Sequence, residues 1–223
     1  MGESVYFSLS DFVIIIFLIS FIHSFRLIKN NKIPRYMNGF YWYPAVAVII
    51  GVLHLLQRYY TLIPKELYRI TNLISLLIHF TFLSLFILQF ISLKFFRKYY
   101  KLIFFLFLIS LIVFIINDII NHSFISFAIA NSGLLIFCIY YYEQLFRDSP
   151  TLNLLKEPSF WIITGIFFGM STTIPIFFLA GYLYKNLPNN IFYSIATIAP
   201  FGYGMMHLFF IKAFLCKVQI HRE

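Results

Sequence analysis

The chain has 223 residues, of which 61% are hydrophobic, 22% aromatic and only 11% charged, and its mean hydropathy is +0.86. A soluble domain of this size carries about a quarter charged residues, so this chain cannot enclose its own apolar surface and needs lipid as its solvent. Its formal charge of +9 sits in short clusters between apolar runs, the pattern of membrane orientation rather than of nucleic-acid recognition.

A hydrocarbon core about 30 Å thick takes roughly 20 helical residues to cross. In chain order the sequence predicts seven such segments, at about 11–28, 40–60, 68–93, 102–121, 124–144, 159–184 and 190–214. Together they make one all-α transmembrane domain spanning 1–223. Apolar residues do not alternate with polar ones, which argues against a β-barrel. Turn chemistry separates the segments: Asn30, Asn31 and Pro34, then Pro64, then Asn121, His122 and Ser123, then Pro150 and Pro158, then Pro188 and Asn189. The first run lacks a basic leader and a small-residue cleavage site, so it reads as a retained helix rather than a signal peptide. Cys138 and Cys216 show neither a disulfide framework nor a zinc ribbon.

Arginine and lysine give the direction. The first, third and fifth connections and the C-terminal end hold 13 of the 17 basic residues, among them Arg26, Arg35, Lys94, Arg97, Arg147 and Lys156. Arg58, Lys65, Arg69 and Lys185 fall on the other side. By the positive-inside rule the N-terminus is outside and the C-terminus cytoplasmic, in a multi-pass protein of a bacterial inner membrane. Aromatic clusters at Tyr41, Trp42 and Tyr43, at Tyr59 and Tyr60, and at 140–142 fall where interfacial belts form.

Ionisable groups inside spans cost about 2.5–3.5 kcal/mol at the centre, so each is a functional candidate. His54, His79 and His207 come from three different spans and would suffice to hold zinc with a water as fourth ligand. The H-x-x-x-H spacing of the adiponectin-receptor and ceramidase type of membrane hydrolase is missing, and a neutral histidine bonded to a neighbouring helix explains each one as well. Asp118, beside Asn117 in "INDIINHS", would pair with a cation at the outer mouth or receive a ligand; a solvated helix end is the plainer alternative. A retinal protein would need a lysine in the middle of span seven, and Lys212 lies at its cytoplasmic end.

Span six, "WIITGIFFGMSTTIPIFFLAGY", repeats Gly165, Gly169 and Thr173 every four residues, a stripe that lets another helix approach closely. The hydroxyls of Ser171, Thr172 and Thr173 precede Pro175 and can serve backbone groups that the proline releases. Span seven adds Pro200, Gly202 and Gly204. Two broken helices side by side predict a hinge or a small cavity, although packing alone would also account for the glycines.

Between spans five and six lies the charged, proline-bounded stretch "YYYEQLFRDSPTLNLLKEPSFWI", residues 140–162. Leu152, Leu154 and Leu155 suit the headgroup layer, Pro158 suits a first helical turn, and Trp161 suits an interface. Glu143, Arg147, Lys156, Glu157 and Trp161 make it the best docking surface for a cytoplasmic partner. This stretch, its continuation "ITGIFFGMSTT" and the Pro/Gly-broken last span resemble a group of small seven-helix bacterial membrane proteins. Some of these occur beside, or fused to, sensor histidine kinases. The resemblance covers about 140–216, rests most on Lys156, Glu157, Pro158, Phe160, Trp161 and Ile162, and implies a sensory or regulatory module with no catalytic residues.

The expected function is therefore a membrane sensor that binds a small or hydrophobic ligand and signals to a separate cytoplasmic kinase or regulator. His54, His79, Asn117, Asp118, Thr172 and His207 are the ligand or pathway candidates. A small transporter or channel subunit is the alternative, and a zinc-dependent lipid hydrolase the third reading. No cofactor is expected unless the histidines hold zinc. Some polar positions would face a second protomer if the chain forms an oligomer.

Overall fold

The computed structural model describes residues 2–29, 40, 42–60, 65–91, 104–105, 107–116, 124–148 and 154–216; for 2–8, 10, 28–29, 54, 57–60, 65–70 and 148 it describes the backbone alone. Among the described residues every regular element is helical, with no strand. In chain order these are α1 (Gly2–Lys29), α2 (Trp42–Tyr60), α3 (Lys65–Leu88) and α4 (Phe107–Ile116). Then come α5 (Ile125–Asp148), a single 3-10 turn (Leu154–Lys156), α6 (Pro158–Asn186), α7 (Asn189–Ala196) and α8 (Ile198–Leu215). Among the described residues four apolar stretches are long enough to cross a membrane: Thr71–Leu88, Ile125–Arg147, Pro158–Asn186 and Asn189–Leu215.

Surface composition says the same. On α5 the buried side chains Ala130, Asn131, Leu134, Phe137, Cys138 and Tyr141 follow the three-four spacing of one helix face. The opposite face is as greasy, with Ile136 and Ile139 about half exposed. Helix α1 likewise turns Phe12, Ile15, Leu18, Ile19, Ile22 and Phe25 outward. Apolar exposure on this scale belongs against lipid. In lipid the helices gain little from hiding apolar area, so close fit and interhelical hydrogen bonds must hold them together.

The best fit is α6 on α8, with α8 also against α1, α5 against α6 and α3, and α1 against α2 and α7. Glycines set the α6–α8 approach. A Cβ on Gly165 would lie 2.8 Å from Phe209 Cβ and 2.9 Å from the Met206 carbonyl oxygen. A Cβ on Gly202 would collide with Thr172 Oγ1 and lie 3.3 Å from the Gly169 carbonyl oxygen. The two backbones are thus in contact where larger residues would hold them apart. Gly204 turns the other way, toward Val13 and Ile16 of α1.

Prolines punctuate the last three helices. Pro158 occupies the first turn of α6, where a missing N–H costs nothing. Leu187 ends that helix in an extended conformation, φ −110° and ψ 148°, as the residue before Pro188 should. Pro200 cannot donate to the carbonyl four residues back, and the rod breaks there into α7 and α8 around Thr197. The break is shallow: Thr197 N–H donates to Tyr193 at 3.1 Å and Phe201 N–H to Thr197 at 3.2 Å. At Pro175 α6 continues unbroken. The hydroxyls of Ser171, Thr172 and Thr173 donate to carbonyls of residues 168–170, one turn before the carbonyl that Pro175 releases.

One aromatic cluster departs from the belt reading. Trp42 is exposed, but Tyr43 is fully buried, and Phe40, Tyr43 and Ala47 form an inward stripe at the start of α2. Phe40 packs edge-on to Phe210 at 5.1 Å and lies 4.4 Å from Phe86. Tyr141 is also inside, at 5% exposure. A phenol with a partner for its hydroxyl is as well placed in a core as at an interface, and sequence position alone does not separate the two.

Candidate functional site

A cavity of about 580 Å³ lies among α1, α2, α3, α5, α6, α7 and α8. Helices α5 and α8 line it with their first halves and α6 with its later half, for example Phe127, Tyr203 and Phe177. Helices α1, α2 and α3 contribute residues around their middles, for example Phe17, Gly51 and His79. In an antiparallel bundle this places the cavity between the middle of the bundle and one end. Its volume is within the usual range for a small-molecule site, about 300–1,000 Å³.

The walls are mostly apolar, and the polar groups fall on two helix faces. On α3, Asn72, Ser75 and His79 share one face through three- and four-residue spacing. Ser75 Oγ donates to the Asn72 carbonyl at 2.7 Å, which leaves its oxygen as an acceptor. Opposite stand Asn131 of α5 and Tyr203 of α8. Asn131 Nδ2 donates to Thr173 Oγ1 at 2.8 Å, and Thr173 Oγ1 in turn donates to the Gly169 carbonyl at 3.0 Å. The bond between Asn131 and Thr173 ties α5 to α6 at the cavity wall, where Tyr203 of α8 also stands.

His79 and Tyr203 meet edge to face, ring centroids 5.9 Å apart. The Tyr43 hydroxyl hydrogen-bonds a ring nitrogen of His79. On the far side of Tyr43, His207 stacks at 5.8 Å and 17° and lies 4.1 Å from Phe17, which itself lines the cavity. His207 is fully buried, and neither ring nitrogen has a partner among the described residues. Such an unmet pair is expensive, about 1–3 kcal/mol for each buried group.

The candidate residues thus separate. His79 faces the cavity, and His207 sits one layer behind it. Thr172 is in the α6–α8 seam, its hydroxyl donating to Phe168 and Gly169 carbonyls at 3.0 and 2.9 Å. Pro200 lines the cavity, while Gly165, Gly169 and Gly202 belong to the seam. The His54 side chain, Asn117 and Asp118 lie outside the described residues. Among the described residues no group of three or more His, Cys, Asp or Glu could hold a metal ion. Tyr43, Asn131 and Tyr203 were not singled out from sequence. An amide in the middle of "AIANSGL" was the available signal for the second, since such a group inside a span needs a partner.

The other end of the bundle carries the charged linker. Glu143 and Arg147 are exposed and 3.8 Å apart, an i,i+4 pair that contributes little in water. Lys156 is exposed and Glu157 partly buried. Trp161 fastens the linker: its indole N–H donates to the Leu155 carbonyl at 2.9 Å, and its ring stacks on Phe209 at 6.0 Å. The Lys212 ammonium lies 5.6 Å from the centre of the same ring, within cation–π range. Phe209 is also the residue that Gly165 admits to the seam, so the linker rests directly on the α6–α8 contact. No protein-family model matches the chain, and neither a curated protein nor a solved structure matches it.

Proposed function

We propose that the chain is a seven-span sensory module of a bacterial inner membrane, N-terminus outside and C-terminus cytoplasmic. It binds a small hydrophobic ligand and signals to a separate cytoplasmic partner. The observation that carries the reading is the cavity between the middle and one end of the bundle, an end that the positive-inside orientation makes the outer one. Behind its floor the rings of Phe40, Tyr43, His207 and Phe210 form a packed layer, which favours holding a ligand over conducting a solute. A ligand pressing on Tyr203 or Pro200 would shift α8 against α6. The glycine seam would carry that shift to Phe209 and Trp161, and so to the docking residues Glu143, Arg147, Lys156 and Glu157.

The test places a photoreactive amino acid at Lys156. It should capture one cytoplasmic protein in intact cells, and the activity of that protein should change when Glu157 and Trp161 are replaced in a folded bundle. Recovery of no partner, or of one whose activity ignores both substitutions, would refute the signalling role.

A further inference from the structure

Resting on the reading of the cavity as a ligand site, we infer the class of ligand: an electrically neutral, lipid-soluble molecule with a carbonyl or hydroxyl oxygen as its polar head. The described cavity wall contains no charged side chain. A carboxylate, phosphate or ammonium carried to this depth would meet no opposite charge there, and an uncompensated ion is among the costliest things to bury in a bilayer.

What the floor offers instead are neutral donors and acceptors. A phenol can serve only one nitrogen of an imidazole at a time, so Tyr43 leaves the second nitrogen of His79 for a ligand. Tyr203 stands 5.9 Å from that ring, close enough for one head to touch both. An oxygen that both accepts and donates, or a carbonyl that accepts from His79 and Tyr203, fits between the two rings. The tail then lies along the apolar walls of α1, α2 and α7 (Ile14, Ile50, Phe192).

The experiment uses the full chain in zwitterionic lipid nanodiscs and three photoreactive decyl-chain probes, ending in hydroxyl, sulfate or trimethylammonium. Labelled residues are located by mass spectrometry. The hydroxyl probe should label cavity residues at least about tenfold more than either charged probe, a gap of about 1.4 kcal/mol. Tyr203→Phe and His79→Phe should cut that preference to a few-fold, and His79→Gln, which keeps a donor, should restore most of it. Equal or stronger cavity labelling by a charged probe would overturn the neutral-head inference and leave the cavity as a ligand site. Cavity labelling no higher than that of lipid-facing positions for all three probes would overturn both.

Discussion

Two glycines on one helix give opposite expectations for the same substitution. In α6, Gly165 abuts α8, where an added methyl would lie 2.8 Å from Phe209 Cβ and 2.9 Å from the Met206 carbonyl oxygen. At Gly181 an added methyl meets nothing within 4 Å. Both alanine variants gain helix propensity of about 0.5–1 kcal/mol. Only Gly165→Ala must also push two backbones apart, because neither a Cβ nor a peptide oxygen can rotate away, and overpacking of this kind costs about 1–3 kcal/mol. The difference between the variants is therefore about 1–3 kcal/mol whatever the propensity gain is, or roughly 5- to 150-fold in the folding equilibrium. Reversible unfolding in mixed detergent micelles, followed by Trp161 emission in a Trp42→Phe background, measures it. Equal shifts for the two variants, or stabilisation by Gly165→Ala, would show that α6 and α8 are not in backbone contact.

Other expectations follow from the same geometry. Asn131→Ala removes the interhelical bond to Thr173 and should cost about 0.6 kcal/mol, the average for such bonds in lipid, and no more than about 1.7 kcal/mol, the largest; Asn131→Ala and Thr173→Val should be non-additive, and strict additivity would refute the shared bond. Alkylation should reach Cys216, which is partly exposed, and spare Cys138, which is buried. Burial pushes the Cys216 thiol above its ordinary value, opposed by Lys212 and reinforced by Glu157. Since the thiolate is the reactive form, its labelling should rise with pH through a midpoint above that of a small-molecule thiol. Glu157→Gln should lower that midpoint, and an unchanged midpoint would place the carboxylate away from the thiol. Metal analysis of the purified chain should find zinc far below one per molecule; stoichiometric zinc that His79→Ala abolishes would favour the hydrolase reading instead.

The helical class and the apolar stretches at Ile125–Arg147 and Pro158–Asn186 were legible because their signal is length and greasiness, which lipid demands of any spanning helix. The facing of each helix was not. When Ile136 and Ile139 meet lipid and Leu134 and Phe137 meet protein, the two faces of α5 are chemically alike and periodicity has nothing to report. His79 stood out as an ionisable group at membrane depth. Tyr43 was hidden by its neighbours, since a Tyr-Trp-Tyr run looks interfacial whichever ring turns inward. Tyr203 was hidden between glycines that draw attention to packing. The cavity itself is a property of seven helices at once, and no local pattern encodes it.

Native mass spectrometry of protein released gently from its own membranes decides whether the cavity holds a ligand. One small molecule per chain should be retained, lost when Ala130→Phe fills the deep wall and again when Ala196→Phe fills the α7 side, with thermal stability of each variant measured alongside. Ala130 is fully buried in that wall and Ala196 lines it from α7. A chain that carries no small molecule, or that keeps the same one in both folded variants, would show that the cavity is not a ligand site.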